Sequence, residues 1–289
     1  MVEKKRENYT LNDVREQTYK RRDAWWTVWL VDPVAARLVV PLANHTRITP
    51  NQISVLAFLF GLFAAGFFLQ GDPMSLAWGA LFFHLSFVLD CMDGKIARLK
   101  GTGSVFGMWL DYMLDRFRVV ICSVALMSGQ WLATEQTSYL FLALFIIFLD
   151  SLRYMDALQL YKLRREMKKR VRRGRMKEEP IIEEEENIQG EMAASAEEIS
   201  SPSVDLNQTF KRRFQWYLNI RDWLEQHRIR PHLFSGIEFQ MFIFIIGPLT
   251  GLILEMVVVS AVLLLTFELA IIYKLWLSTK DMDRELTVE

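Results

Sequence analysis

Long apolar segments separated by short polar turns run through most of this chain. An α-helix of about 20 apolar residues crosses the roughly 30 Å hydrocarbon core of a bilayer, and six segments come close to that length. The pattern therefore predicts an all-α integral membrane protein with six transmembrane helices. The predicted spans cover residues 53–70, 75–95, 106–129, 138–157, 233–254 and 257–277.

Residues 24–42 have a different pattern, in which tryptophans stand close to basic residues. Aromatic and basic side chains together are typical of a helix that lies in the membrane surface. Pro33 and Pro41 are expected to limit the length of this helix, because proline interrupts the hydrogen-bond ladder. We expect an N-terminal interfacial amphipathic helix, and a helix packed only on the protein's own domain remains the alternative.

A polar hinge precedes the first span and contains Thr49, Pro50 and Asn51. Threonine is a favourable N-cap residue, and proline fits the first turn of a helix, where its missing N–H costs nothing. The first transmembrane helix is therefore expected to begin at Pro50, with Thr49 as its cap.

Charges are distributed unevenly along the chain, although its formal net charge is zero. The loops after spans one, three and five contain acidic residues and no Lys or Arg, whereas the opposite side carries three basic segments. By the positive-inside rule both termini face the cytoplasm. We expect an integral protein of a prokaryotic plasma membrane with its active site on the cytoplasmic side, and no signal peptide.

The segment between spans four and five is highly charged. A basic run at residues 162–177 precedes an acidic run at residues 178–186, and a polar tract that follows predicts partial disorder. Residues 210–224 regain an amphipathic helical period, which predicts a second membrane-surface helix. The basic run could bind anionic lipid headgroups or only fix the topology, and nucleic acid is not an expected partner. The predicted divisions are 1–48, 49–160, 161–232 and 233–289.

The composition agrees with this assignment, since 52% of the residues are hydrophobic and 24% are charged. Such values suit a membrane protein with charged cytoplasmic segments. The two cysteines, Cys91 and Cys122, both fall in apolar segments. We expect buried free thiols there rather than a disulfide.

Four aspartates stand in the otherwise apolar second and third spans. Asp90 and Asp93 are three residues apart and Asp111 and Asp115 four apart, so each pair shares one helix face. Carboxylates inside a bilayer are costly, and the basic residues nearby are too few to neutralise all four. Oxygen ligands without neighbouring His or Cys clusters suit hard cations such as Mg²⁺, Mn²⁺ or Ca²⁺. The pattern therefore predicts a divalent-metal site.

The spacing Asp-x2-Asp-Gly-x2-Ala-Arg-x8-Gly-x3-Asp-x3-Asp resembles the signature of the CDP-alcohol phosphotransferases, and every fixed position is filled. The resemblance implies six transmembrane helices, a polar cytoplasmic cavity and a homodimer. It also implies attack of an acceptor hydroxyl on the β-phosphorus of a CDP-alcohol, with release of CMP. Two Mg²⁺ or Mn²⁺ ions would neutralise the phosphates.

The resemblance also assigns roles to individual residues. Asp90, Asp93, Asp111 and Asp115 are implied as metal ligands, and Asp111 and Asp115 as catalytic, with Asp115 as the general base. A group that binds the nucleotide and its pyrophosphate is implied as well, and it includes Asp93. Its other members are Asn51, Gly94, Ala97, Arg98 and Gly107.

Polar residues near spans four and five are candidates for the acceptor pocket. They are Asp150, Arg153, Arg228 and Arg230. Asp150 and Arg153 could equally pair with each other or with Asp156, and Glu238 and Glu268 are acids of the last two spans without an assigned partner.

Three functions stay open at this point. The first transfers a phosphatidyl group from CDP-diacylglycerol to a small polar acceptor such as inositol phosphate, glycerol phosphate or serine. The second transfers an amino-alcohol phosphate from CDP-choline or CDP-ethanolamine to a lipid acceptor. The third is a non-catalytic membrane scaffold or transporter. The basic residues near spans four and five favour a phosphorylated acceptor, and therefore the first function.

Overall fold

The computed structural model describes residues 8–175, 223–231 and 233–287, and over these the chain is helical apart from turns and one isolated β-bridge. The all-α prediction is confirmed for this part of the chain. The helices are α1 (Leu11–Thr18), α2 (Asp32–His45), α3 (Pro50–Phe68), α4 (Pro73–Lys100), α5 (Val105–Thr134), α6 (Ser138–Arg175), α7 (Gly236–Thr250) and α8 (Ile253–Thr287).

Some predictions for the charged segment fall outside the described residues. They concern the acidic run at residues 178–186, the polar tract that follows it, and all but the end of the amphipathic stretch at 210–224. The basic run begins within α6, whose helix continues to Arg175.

Four helices are long and apolar enough to cross a membrane by length and composition: α3, α4, α5 and most of α8. Helices α4, α5 and α8 contain the second, third and sixth predicted spans, and α3 covers the first predicted span up to Phe68. The fourth predicted span is the first half of α6, and α7, a shorter apolar helix, lies within the fifth. The apolar helices indicate an integral membrane protein, and the count of six spans stays a prediction.

A helix forms where the N-terminal surface helix was predicted, and it lies against α4. Ala35, Ala36 and Val39 on one face of α2 are buried, whereas Leu38 on another face and Trp29 in the turn before α2 are exposed. The helix thus packs on the protein's own span and also presents apolar side chains outward. Contact of that outer face with a membrane surface remains a prediction.

The prediction that Pro33 and Pro41 limit the length of the N-terminal helix is wrong. The helix continues through Pro33 and Pro41 to His45. A wider π-helical turn at Thr27–Val31 ends two residues before Pro33, and such turns alter the hydrogen-bond register of a helix locally. Each proline removes only one backbone donor, and packing against α4 offsets that loss.

Helices α3, α4 and α5 cross closely because small residues lie at their contacts. A Cβ atom on Gly79 of α4 would lie 2.5 Å from the ring of Phe68, and one on Gly129 of α5 would lie 2.2 Å from the Phe68 carbonyl oxygen. Glycine allows this approach.

Both Cys91 and Cys122 are free thiols, as predicted.

The second half of the chain completes the packing around α4 and α5. Helix α6 lies between α5 and α8, and α7 packs on α4. Phe244 of α7 and Phe83 of α4 are fully buried, with ring centroids 4.6 Å apart.

Residues 223–231 attach to the N-terminal segment by backbone hydrogen bonds. The amide of Asp23 donates to the carbonyl of Arg228, and the amide of Arg230 donates to the carbonyl of Asp23, both at 2.9 Å. The indole of Trp25 donates to the Leu233 carbonyl at 2.9 Å. These contacts bring Arg228 next to α2.

Candidate active site

Three of the four predicted metal ligands lie together on α4 and α5. Asp90, Asp93 and Asp111 each offer one carboxylate oxygen, and these oxygens lie within 4.8 Å of one another. Asp90 and Asp93 share a helix face because they are three residues apart. Helices α4 and α5 both pack against α3, which brings Asp111 to the same site. We call these three residues the carboxylate cluster.

The carboxylate cluster fits a divalent cation. The Oδ1 atom of Asp111 is buried and has no hydrogen-bond partner within the described parts of the chain. A buried carboxylate oxygen without a partner is costly, and a bound hard cation would satisfy it. A donor set made only of carboxylate oxygens suits Mg²⁺ or Mn²⁺ better than zinc.

Helix α3 supports the cluster from a third direction. Its Ser54 hydroxyl donates to Oδ2 of Asp93, and both residues are buried. Thr49 caps this helix as predicted, since its side chain accepts from the amide of Gln52 and the Gln52 side chain accepts from the amide of Thr49. The capped first turns of α3 therefore hold one cluster carboxylate in place. The sequence offered no signal for Ser54, because its partner is far away in the chain.

Asn51 lies against the first turn of α5. Ser104 caps α5 by accepting from the amide of Gly107 at 3.0 Å. A Cβ atom on Gly107 would lie 2.6 Å from Oδ1 of Asn51 and 3.0 Å from the Ser104 hydroxyl. Only glycine leaves room for this approach, so two residues predicted to bind the nucleotide are in contact.

The remaining members of the predicted nucleotide group follow one another on the last turns of α4. The Nε atom of Arg98 donates to the carbonyl of Thr18 at 3.1 Å, which ties the guanidinium to the end of α1. That guanidinium lies beside Gly94, where an added Cβ would be 3.4 Å from Nη1. Ala97 is partly buried on the same helix. Gly101 ends the helix in the left-handed region (φ 63°).

Asp115, the fourth predicted ligand, is held by an arginine. Nη2 of Arg118 donates to Oδ1 of Asp115, and Nη1 lies 3.4 Å from Oδ1 of Asp90. Arg118 is buried and was not among the predicted site residues. Its position three residues after Asp115 was the one signal in the sequence, because residues at that spacing meet on a helix.

The four acceptor-pocket candidates are engaged in ion pairs within the chain. Arg228 pairs with Asp32 at 3.0 Å, and Arg230 pairs with Glu238 at 3.1 Å. On α6, Asp150 pairs with Arg116 of α5 and Arg153 pairs with Glu268 of α8 at 2.9 Å.

Asp150 and Arg153 therefore pair with neighbouring helices and not with each other. The alternative in which they pair among themselves on α6 is wrong, because adjacent spans offer closer partners. Glu238 and Glu268 likewise have arginine partners. A role of these residues toward an acceptor remains a prediction.

Comparison with known proteins adds an independent observation. The family model for CDP-alcohol phosphatidyltransferase matches residues 47–175. Over 71 residues the chain is 40% identical to a bifunctional IPC transferase and DIPP synthase of Aquifex aeolicus, a match of 25% of this chain and 16% of the relative. It is 30% identical over 97 residues to an archaetidylinositol phosphate synthase of Methanothermobacter thermautotrophicus (34% and 48%).

A third relative is a phosphatidylinositol phosphate synthase of Corynebacterium glutamicum, 34% identical over 87 residues (30% of this chain and 36% of the relative). The matches thus span less than half the length of each of these relatives. The family match begins just before α3 and ends with α6, so it includes the carboxylate cluster, Asn51, Gly107 and Arg98.

Proposed function

We propose that this chain, whose residues 47–175 match the family model for CDP-alcohol phosphatidyltransferase, is a membrane-embedded CDP-alcohol phosphotransferase of phospholipid synthesis. It would transfer a substituted phosphate group from a CDP-alcohol to an acceptor hydroxyl and release CMP. The observation that carries this proposal is the carboxylate cluster, with three carboxylate oxygens from two helices within 4.8 Å. Phosphoryl transfer depends on positioning and charge neutralisation, and the cluster supports both.

Asp90, Asp93 and Asp111 would hold the divalent metal, Mg²⁺ or Mn²⁺. When bound, such a metal neutralises the phosphate charges and polarises the phosphorus for attack. Ser54 keeps the Asp93 carboxylate oriented for that task. The resemblance implies two ions per active site, and the second would require Asp115 as a further ligand.

Asp115 is the proposed general base. Its Oδ1 atom accepts from Arg118, which fixes the carboxylate and leaves Oδ2 to take the proton of the acceptor hydroxyl. The acceptor oxygen then forms a bond to the β-phosphorus, the bond from that phosphorus to the CMP oxygen breaks, and CMP leaves with the electron pair.

The nucleotide would bind where α3, α4 and α5 begin or end. Arg98 is suited to a bidentate contact with the pyrophosphate, and its tie to Thr18 reduces the freedom it loses on binding. Gly94 and Ala97 have small side chains that allow close approach of the ligand to α4. Asn51, beside Gly107, would contact the nucleotide from α3.

Gly107→Ala tests the nucleotide pocket. The added methyl group would displace Asn51, whose Oδ1 atom would lie 2.6 Å away. We expect kcat/KM for the CDP-alcohol to fall roughly 10- to 100-fold, since misplacement by about 1 Å can have an effect of that size. Steady-state CMP release measures it. Gly103→Ala is the matched control, because its Cβ would meet nothing closer than Ala97 at 4.0 Å. Equal kcat/KM values for the two variants would contradict the assignment.

The proposed donor is CDP-diacylglycerol and the proposed acceptor is inositol phosphate. One relative is named archaetidylinositol phosphate synthase and another phosphatidylinositol phosphate synthase, which supports a phosphorylated polyol over serine. The runner-up is a CDP-choline or CDP-ethanolamine donor with a lipid acceptor. Acceptor contacts by Asp150, Arg153, Arg228 and Arg230 belong to this proposal, and an anionic acceptor would compete with Asp32 and Glu238 for the last two arginines.

The proposed setting is the plasma membrane of a prokaryote, with six spans, both termini in the cytoplasm and a homodimeric assembly. The hydropathy of α3, α4, α5 and α8 supports insertion, and the sidedness rests on the positive-inside rule. The distribution of Lys and Arg supports a cytoplasmic position for the α4–α5 turn, and therefore for the carboxylate cluster, where a soluble nucleotide would be available.

CMP release by the detergent-purified protein tests the reaction. With Mg²⁺ and CDP-diacylglycerol, we expect release that depends on inositol phosphate and exceeds release with glycerol phosphate or serine. Asp115→Asn should abolish it. Release only with CDP-choline or CDP-ethanolamine plus diacylglycerol would favour the second donor class. If no donor gave CMP release while the protein still bound Mn²⁺, a non-catalytic scaffold would be favoured.

A further inference from the structure

A buried arginine lies where a second metal ion would have to bind. Arg118 has 3% of its surface exposed. Its guanidinium donates to Asp115, lies 3.4 Å from Oδ1 of Asp90, and donates to the Ser86 hydroxyl at 3.1 Å. Arg118 therefore links Asp90 of α4 to Asp115 of α5.

The space for this side chain is formed by a third helix. A Cβ atom on Gly61 of α3 would lie 2.8 Å from Cγ and 2.9 Å from Cδ of Arg118. Glycine at this position leaves a slot that the arginine stem fills. The Ser86 hydroxyl, which donates to the Ala57 carbonyl at 2.6 Å, accepts from the end of the arginine. Contacts with the stem and with both terminal nitrogens thus hold the guanidinium.

The possible ligand atoms agree with this arrangement. The carboxylate oxygens that all lie within 4.8 Å of one another come from Asp90, Asp93 and Asp111. The Asp115 carboxylate lies beside Asp90 and is held by Arg118. A second divalent cation between Asp90 and Asp115 would lie directly against the guanidinium. Like charges repel strongly at such a distance in a site away from bulk water.

We propose that this chain binds a single divalent ion at the carboxylate cluster and that Arg118 supplies the positive charge at the second metal position. This inference rests on the proposed function and revises its expected count of two ions. Arg118 acts as a positioning residue, because it fixes Asp115 with one oxygen turned toward the acceptor. Its single charge would also neutralise part of the phosphate charge.

Counting bound Mn²⁺ tests the inference without turnover. Equilibrium dialysis of the detergent-purified full chain, with the bound metal measured by mass spectrometry, should give one ion per chain. Asp115→Asn should also bind one, because that carboxylate holds the arginine and not the metal. Arg118→Gln should bind two, since the neutral side chain leaves Asp90 and Asp115 available to a second ion. Arg118→Lys should bind one.

Arg116→Gln is the matched control, because this neighbouring arginine pairs with Asp150 outside the cluster, and its count should stay at one. A wild-type count of two that falls to one in Asp115→Asn would overturn the inference, as would a count of zero. The Mn²⁺ count of Asp115→Asn, compared with that of the wild type, distinguishes one bound ion from two even if Arg118→Gln fails to fold. CMP release is measured on the same wild-type preparation. One bound ion without release would defeat the proposed function alone, and two ions with release would defeat this inference alone.

Discussion

Asp111→Asn should lower the rate of CMP release about 1000-fold and abolish the binding of Mn²⁺ at the carboxylate cluster. Metal ions supply several kcal/mol of transition-state stabilisation, and about 4 kcal/mol corresponds to three orders of magnitude in rate. Asp111 is the most informative position because its Oδ1 atom is buried without a hydrogen-bond partner in the described residues. The asparagine amide binds a metal ion more weakly than the carboxylate does. The substitution breaks no hydrogen bond of the Oδ1 atom, because that atom has none within the described residues.

Asp72→Asn is the matched control for this variant. Asp72 caps the opposite end of α4, where its side chain accepts from the amide of Ser75 at 3.0 Å. Asparagine caps a helix about as well as aspartate, so CMP release and Mn²⁺ binding should both stay at the wild-type level. If Asp111→Asn kept wild-type activity and Mn²⁺ affinity, the cluster would not be the metal site.

Asp32→Leu should destabilise the protein by about 3–5 kcal/mol, because it leaves a buried lysine without a counter-charge. Asp32 and Lys95 form an ion pair at 2.8 Å, with side-chain exposures of 4% and 5%. Arg228 also binds Asp32, at 3.0 Å, but its side chain is 31% exposed and can turn toward solvent. The melting temperature of the detergent-solubilised protein measures the loss.

Removal of the lysine from this ion pair should destabilise the protein less than removal of the aspartate. In Lys95→Met the Asp32 carboxylate keeps Arg228 as a partner, so the melting temperature should fall less than in Asp32→Leu. The double variant Asp32→Leu/Lys95→Met should recover part of the loss, since no buried charge is then unpaired. Arg21→Ala removes an ion pair whose arginine is 87% exposed, and it should change stability by about 0–1 kcal/mol. Equal losses in both single variants would contradict this account.

Much of the carboxylate cluster could be predicted from the sequence because its geometry is local. Asp90 and Asp93 share a face of α4 through helical spacing alone. The cap at Thr49 and the helix end at Gly101 depend on neighbouring residues only. The four long apolar helices follow from hydropathy in the same way, since a bilayer requires a minimum apolar length.

The N-terminal segment could be predicted only in part. The aromatic and basic pattern indicated a helix, and a helix forms there. Its continuation through Pro33 and Pro41 depends on packing against α4, which outweighs the loss of two backbone donors. Local propensity is a weak guide where tertiary contacts are extensive.

The sequence by itself determined the helical class, the long apolar helices α3, α4, α5 and α8, and the aspartates as a candidate metal site, because each of these follows from a period or length within single helices. Only the tertiary structure decided which groups those helices bring together. Ser54 meets Asp93, Asn51 meets Gly107, and Arg118 fills the slot at Gly61. These partners come from different helices, and no period within one helix encodes which faces of two helices will pack. The net charge of the site, on which the proposed number of bound metal ions rests, depends on that packing.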